Sequence, residues 1–168
     1  MPNHVHLIVV PGSEEGLRRA VGEAHRRYTR HINFREKWRG HLWQGRFASF
    51  PMDEAHLYLA ARYVELNPVR ARIVEAPADY PWSSAHAHLA GRDDILVKSL
   101  PLLTRVGDWG TFLARNLSEE DAELLRKHER TGRPLGDTSF VSRLESLLQR
   151  PLAPGKAGRK AAVKSLSQ

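Results

Sequence analysis

Two pairs of residues have the types and spacing to do chemistry: His4 with His6, and Tyr63 with Asn67. Side chains alternate between the two faces of an extended strand, so His4 and His6 would point the same way, within reach of a shared cation. An exposed or hydrogen-bonded histidine pair is the plainer account of the same spacing. Tyr63 and Asn67, four residues apart, fall one turn apart on a helix and set a phenol beside an amide oxygen. A tyrosine at the core edge and an asparagine ending a helix before Pro68 would explain that pair without chemistry. His86 and His88 repeat the first spacing but fall in a predicted helix, where residues two apart point away from each other.

The elements that must hold these residues are read from periodicity and capping. Residues 4–10 are rich in β-branched residues and close on Pro11-Gly12, which predicts a strand and a turn. Ser13 is the expected N-cap of a helix reaching about Asn33, with Leu17, Val21, Ala24, Tyr28 and Ile32 as its core face. Residues 43–52, where Phe47 and Ser49 alternate with Ala48 and Phe50, predict a second strand. Asp53 caps a helix expected to run to about Leu66, apolar on more than one side and ended or bent by Pro68. Shorter helices are expected over residues 83–90, 118–130 and 138–149, the second begun by Ser118 with Asp121 three residues on. The last two, joined by residues 131–137, read as a helical hairpin or a helix-turn-helix. Residues from Pro151 onward are expected to form a disordered basic tail.

Charge points to the partner. Lys and Arg number 26 against 19 Asp and Glu, a net charge of +7, and residues 1–50 hold eight Arg and one Lys against four Glu. Such a balance favours a polyanion, with nucleic acid foremost, since the planar guanidinium donates paired hydrogen bonds to phosphate. Arg18, Arg19, Arg26 and Arg30 on the first helix, and Arg46 beyond it, are the candidate contacts, with Trp43 or Phe47 available to stack on bases or to pack inside. The sequence contains no cysteine, which excludes disulfides and thiolate metal sites and suits the cytoplasm. No apolar run has the length of a membrane span, and no signal segment is expected.

Four motifs occur in a familiar order: Met1-Pro2-Asn3-His4-Val5-His6, then Leu42-Trp43-Gln44-Gly45-Arg46-Phe47, then Arg62-Tyr63-Val64-Glu65-Leu66-Asn67-Pro68-Val69-Arg70-Ala71, then Asp79-Tyr80-Pro81-Trp82-Ser83-Ser84. Together they resemble the REP-associated tyrosine transposases, within the HUH single-tyrosine superfamily, over about residues 1–90. Thr131-Gly132-Arg133-Pro134-Leu135-Gly136 is similar to a carboxy-terminal extension of some members. The resemblance implies an α+β fold: an incomplete ferredoxin-like HUH domain at residues 1–92, a mostly helical extension at 93–150 with a candidate DNA-binding hairpin, and the tail at 151–168. It implies that His4 and His6 bind Mg²⁺ or Mn²⁺, with Asn67 as third ligand, and that Tyr63 is the nucleophile. The implied activity is cleavage and rejoining of single-stranded or hairpin DNA through a 5′-phosphotyrosine.

Members of that family carry roughly 40 or more residues ahead of the Met-Pro-Asn-His segment. Those residues supply two strands and a helix, one strand lying between the two predicted here. Their absence is expected to leave the metal strand at an edge, poorly preorganised for catalysis. Two other functions compete: a non-catalytic nucleic-acid-binding protein or inactive transposase remnant, and a metal-dependent hydrolase, which lacks an acidic residue at motif spacing to act as base.

Overall fold

The computed structural model describes residues 3–115 and 117–153, and the expected disordered tail beyond residue 153 lies outside them. Seven α-helices follow in order: α1 Gly16–Glu36, α2 Glu54–Arg70, α3 Ala85–Ala90, α4 Leu100–Val106, α5 Trp109–Ala114, α6 Glu119–Thr131 and α7 Thr138–Leu148, with a 3-10 turn at Pro77–Asp79 before α3.

The expected α+β ferredoxin-like sheet is not what the chain forms. Residues 4–10 have no regular structure, and residues 43–52 are loop apart from Met52, which pairs with Leu135 in one isolated parallel bridge. A strand is held by a neighbour that takes its amide and carbonyl groups. Among the described residues the first segment has no backbone hydrogen bond to another part of the chain. Alternation was therefore real in the sequence but had no ladder to act through, and apolar burial is achieved helix on helix.

The central element is α2. Asp53 begins it as expected, its side chain accepting from the His56 amide at 3.0 Å. Its Ala-rich sequence lets neighbours approach closely on two sides. On one side Ala60 and Tyr63 meet Ala122 and Leu125 of α6, together with Leu135. On another Ala61 meets Trp109, Phe112 and Leu113 of α5. Contrary to expectation, the helix runs through Pro68 to Arg70, with Pro68 buried. Proline removes one amide donor from the ladder, but burial against neighbouring elements outweighs that loss and the chain continues for half a turn.

Glu65 ties α2 to α3 and α5. It is 1% exposed and accepts from Ser84 Oγ at 2.5 Å, His88 Nδ1 at 2.6 Å and Trp109 Nε1 at 2.7 Å. Three donors to one carboxylate offset the cost of taking its charge out of water. His88 is buried and His86 exposed, the divergence expected for residues two apart on a helix.

Further caps follow the sequence closely. Ser118 Oγ accepts from the Asp121 amide at 3.0 Å, and Gly91 ends α3 in the left-handed region at φ 63°. Asp137, not singled out beforehand, caps α7 by accepting from the Phe140 amide at 2.7 Å. The first helix departs more. Ser13 does not cap it: α1 starts at Gly16 behind Glu15, with no side-chain cap. Of its expected core face only Ile32 is buried, while Tyr28 is 52% exposed. No described helix is long and apolar enough to cross a membrane.

Candidate functional site

The site is built where the irregular segment at the amino terminus meets α2. The rings of His4 and His6 lie 4.8 Å apart, edge to face, and the His6 ring lies 5.6 Å from that of Tyr63. The two histidines and the tyrosine are thus brought together although no strand carries the pair. His4 Nδ1 is 2.7 Å from Asn3 Oδ1. His6 Nε2 is buried without a hydrogen-bond partner among the described residues. Burial first, then the charge of His4, lowers the His6 pKa below its ordinary value, with Glu129 pulling the other way. Burial thus favours the neutral imidazole, the form able to ligate a cation.

A buried, unpartnered imidazole nitrogen beside a second imidazole is a donor set that fits a cation. Among the described residues no group of three or more His, Cys, Asp or Glu side chains gathers to hold a metal ion. Asn67 stands one turn beyond Tyr63 on α2, half-buried, and no side-chain hydrogen bond joins it to either histidine among the described residues.

Tyr63 keeps 9% of its surface exposed, packed by Ala122, Leu125 and Leu135. The guanidinium carbon of Arg70 lies 5.5 Å from the centre of its ring. Arg70 also donates to Glu119 at 2.8 Å, and Glu119 accepts from Arg126 at 2.5 Å. Hydrogen bonding to Glu119, and then to the Tyr63 side chain, raises Arg126 above the ordinary arginine value. Neither Arg70 nor Arg126 was a candidate from sequence. Arg70 is seven residues from Tyr63, two turns along one helix face, a relation hidden by the expectation that the helix runs only to about Leu66. Arg126 has no local signal at all, because α6 reaches Tyr63 only through the fold.

The basic residues proposed from sequence lie elsewhere. Arg18, Arg19, Arg26, Arg30 and Arg46 are all exposed. Arg18 pairs with Glu15, and Arg26 and Arg27 both hold Glu23, whose carboxyl is pulled down to about 2 chiefly by the Arg26 hydrogen bond. Arg19, Arg30 and Arg46 have no ion pair among the described residues. Trp43 stacks on His25 of α1 at 4.0 Å and its indole donates to the His25 carbonyl at 3.4 Å. Phe47 is half-buried.

Residues 1–67 match the family model described as transposase, IS200-like. The matched segment contains both histidines, the tyrosine and Asn67, and stops before Arg70 and Arg126. No curated protein and no solved structure matches the chain.

Proposed function

We propose that this chain is a transposase-type protein whose chemistry is transesterification of single-stranded or hairpin DNA, with Tyr63 as nucleophile. The observation that carries the reading is the approach of His6 to Tyr63 at 5.6 Å, within a segment similar to IS200-like transposases. His4 and His6 would hold a divalent cation, Mg²⁺ or Mn²⁺, with the Asn67 amide oxygen as a third donor. When bound, that ion polarises the scissile phosphate and so offsets the weak nucleophilicity of a phenol, whose pKa is about 10.

In the first step the Tyr63 oxygen forms a bond to phosphorus as the bond from phosphorus to the 3′ oxygen breaks. The phenolic proton passes to solvent, and the departing oxygen takes up a proton to become a 3′-OH. The product is a 5′-phosphotyrosine, which keeps one phosphodiester for the one broken. Attack by a 3′-OH of another strand releases Tyr63 and rejoins DNA without ATP. Arg19, Arg30 and Arg46, exposed and without ion pairs among the described residues, are suited to hold the strand beyond the reacting phosphate.

A second reading rests on the burial of Tyr63. At 9% exposure its ring behaves as a core residue, which favours a protein that binds DNA without cutting it. Incubation with 3′-labelled hairpin oligonucleotides and Mn²⁺, followed by denaturing electrophoresis, separates the two. Transesterification predicts a protein-linked labelled fragment with the wild type, none with Tyr63→Phe, and unchanged DNA binding by both. Binding without an adduct from either protein would establish the non-catalytic reading.

A further inference from the structure

We propose that Arg70 and Arg126 form a phosphate clamp beside Tyr63, and that the Glu119 carboxylate stands where a phosphodiester of single-stranded DNA would bind. The part of this that concerns the reacting phosphate rests on Tyr63 being the nucleophile; the clamp as a binding site does not.

Two guanidiniums from different helices meet at one carboxylate near Tyr63, with the Arg70 carbon 5.5 Å from the centre of its ring. Arg70 comes from the last turn of α2, and Arg126 projects from the face of α6 that carries Ala122 and Leu125 into the core around Tyr63. One carboxylate bridges them, Oε2 to Arg70 at 2.8 Å and Oε1 to Arg126 at 2.5 Å. A carboxylate and a phosphodiester both offer two oxygens to the same donors, so a geometry that suits one suits the other. Glu119 belongs to the first turn of α6 and its side chain is 70% exposed, which leaves it free to swing into water. The partners it would leave are better held: the side chains of Arg70 and Arg126 are 26% and 35% exposed. Glu123 also lies 3.4 Å from Arg126, but it is engaged by Arg130 at 2.5 Å. An exposed ion pair contributes little to folding, so exchanging Glu119 for phosphate costs the protein little.

The helix α6, outside the matched segment, packs on the candidate nucleophile through Ala122 and Leu125 and so carries Arg126 to it. The clamp would set a phosphate on the side of Tyr63 lined by α6 and the end of α2, while His6 approaches the same ring edge to face.

The test uses the full chain and a fluorescein-labelled 20-nucleotide oligothymidylate, with binding read by anisotropy over a range of salt. Arg126→Met should weaken binding about tenfold and flatten the dependence of log affinity on log salt by about 0.7, the value for one lost single-strand phosphate contact. Glu119→Gln, which removes the competing charge, should tighten binding about threefold or more, the range of an exposed charge effect. Arg126→Lys should keep the salt slope and lose part of the affinity, since a point charge replaces the fork. Unchanged affinity and slope in both Arg126→Met and Glu119→Gln would overturn the clamp. Should Arg126→Met lose its helical circular dichroism, Glu119→Gln decides alone, and failure to tighten overturns the proposal. The same proteins in the adduct assay keep the two proposals apart. Altered binding with no adduct on any DNA leaves the clamp standing and removes the transesterase; adducts with unaltered binding do the reverse.

Discussion

The helix α1 and the helix α2 are of similar length and both carry repeated apolar residues, yet they are built differently. In α1 only Ile32 is buried, and the helix is laced by surface pairs of Arg18 with Glu15 and of Arg26 and Arg27 with Glu23. Its tertiary contact includes Trp43, which folds back on His25 and Tyr28. In α2 five residues are buried, including a glutamate, and two separate apolar clusters form against it. Apolar spacing gives a helix a face that is able to be buried. Whether it is buried depends on what the rest of the chain brings to it. The candidate nucleophile sits on the helix with five buried residues, whereas Arg19 and Arg30, without ion pairs among the described residues, sit on the one with a single buried residue. That division suits a protein whose reacting groups need fixed positions while its phosphate contacts need reach.

The sharpest way to break the comparison is Glu65→Ala. It removes the one acceptor shared by Ser84, His88 and Trp109, and a lost partner in a buried charged network costs about 3–5 kcal/mol. Urea unfolding followed by circular dichroism measures the loss; a change below about 1 kcal/mol would mean that α2 is not held as described. Acid is a milder probe of the same helix. Burial opposes the charge of Asp53, but amide and ring hydrogen bonds from His56 and the amide of Asp137 outweigh it and keep its pKa below the ordinary 3.8. A carboxyl depressed in the fold contributes stability above its unfolded pKa and loses that contribution as pH falls through the folded value. Wild-type stability should therefore drop below about pH 4, and Asp53→Asn should show a smaller drop while costing about 1 kcal/mol or less at pH 7. At the small end, the double substitution of Arg19 and Arg30 to Ala should leave the urea midpoint unmoved and weaken oligothymidylate binding, with a salt slope reduced by up to about 1.4 for two lost contacts. A shift in the midpoint would show that α1 is packed more tightly than its exposure indicates.

Local signals were the legible part. Asp53 and Ser118 cap the helices they precede, and Gly91 ends α3, because each acts on backbone groups within a few residues. His6 and Tyr63 were named from spacing and motif, and the fold brings their rings into contact. Other readings failed where a partner was needed. The alternation in residues 4–10 and 43–52 says how a strand would face but not whether another strand lies beside it. Pro68 was expected to end or bend the helix near Asn67 because its ring disfavours the residue before it, yet α2 runs on to Arg70 with Pro68 buried. The same error concealed Arg70, since its place above Tyr63 exists only if the helix continues.

By itself the sequence determined the positive charge, the absence of thiol chemistry, the starts of α2, α6 and α7, and the similarity of residues 1–67 to IS200-like transposases. The tertiary structure decided that these motifs ride on helices and loops instead of a sheet, that Glu65 is the buried tie of α2, and that Arg126 stands beside Tyr63. The physical reason is range. Caps, turns and charge act within a few residues and are written locally, whereas burial and the convergence of Tyr63, Arg70, Glu119 and Arg126 depend on segments distant in sequence meeting in space.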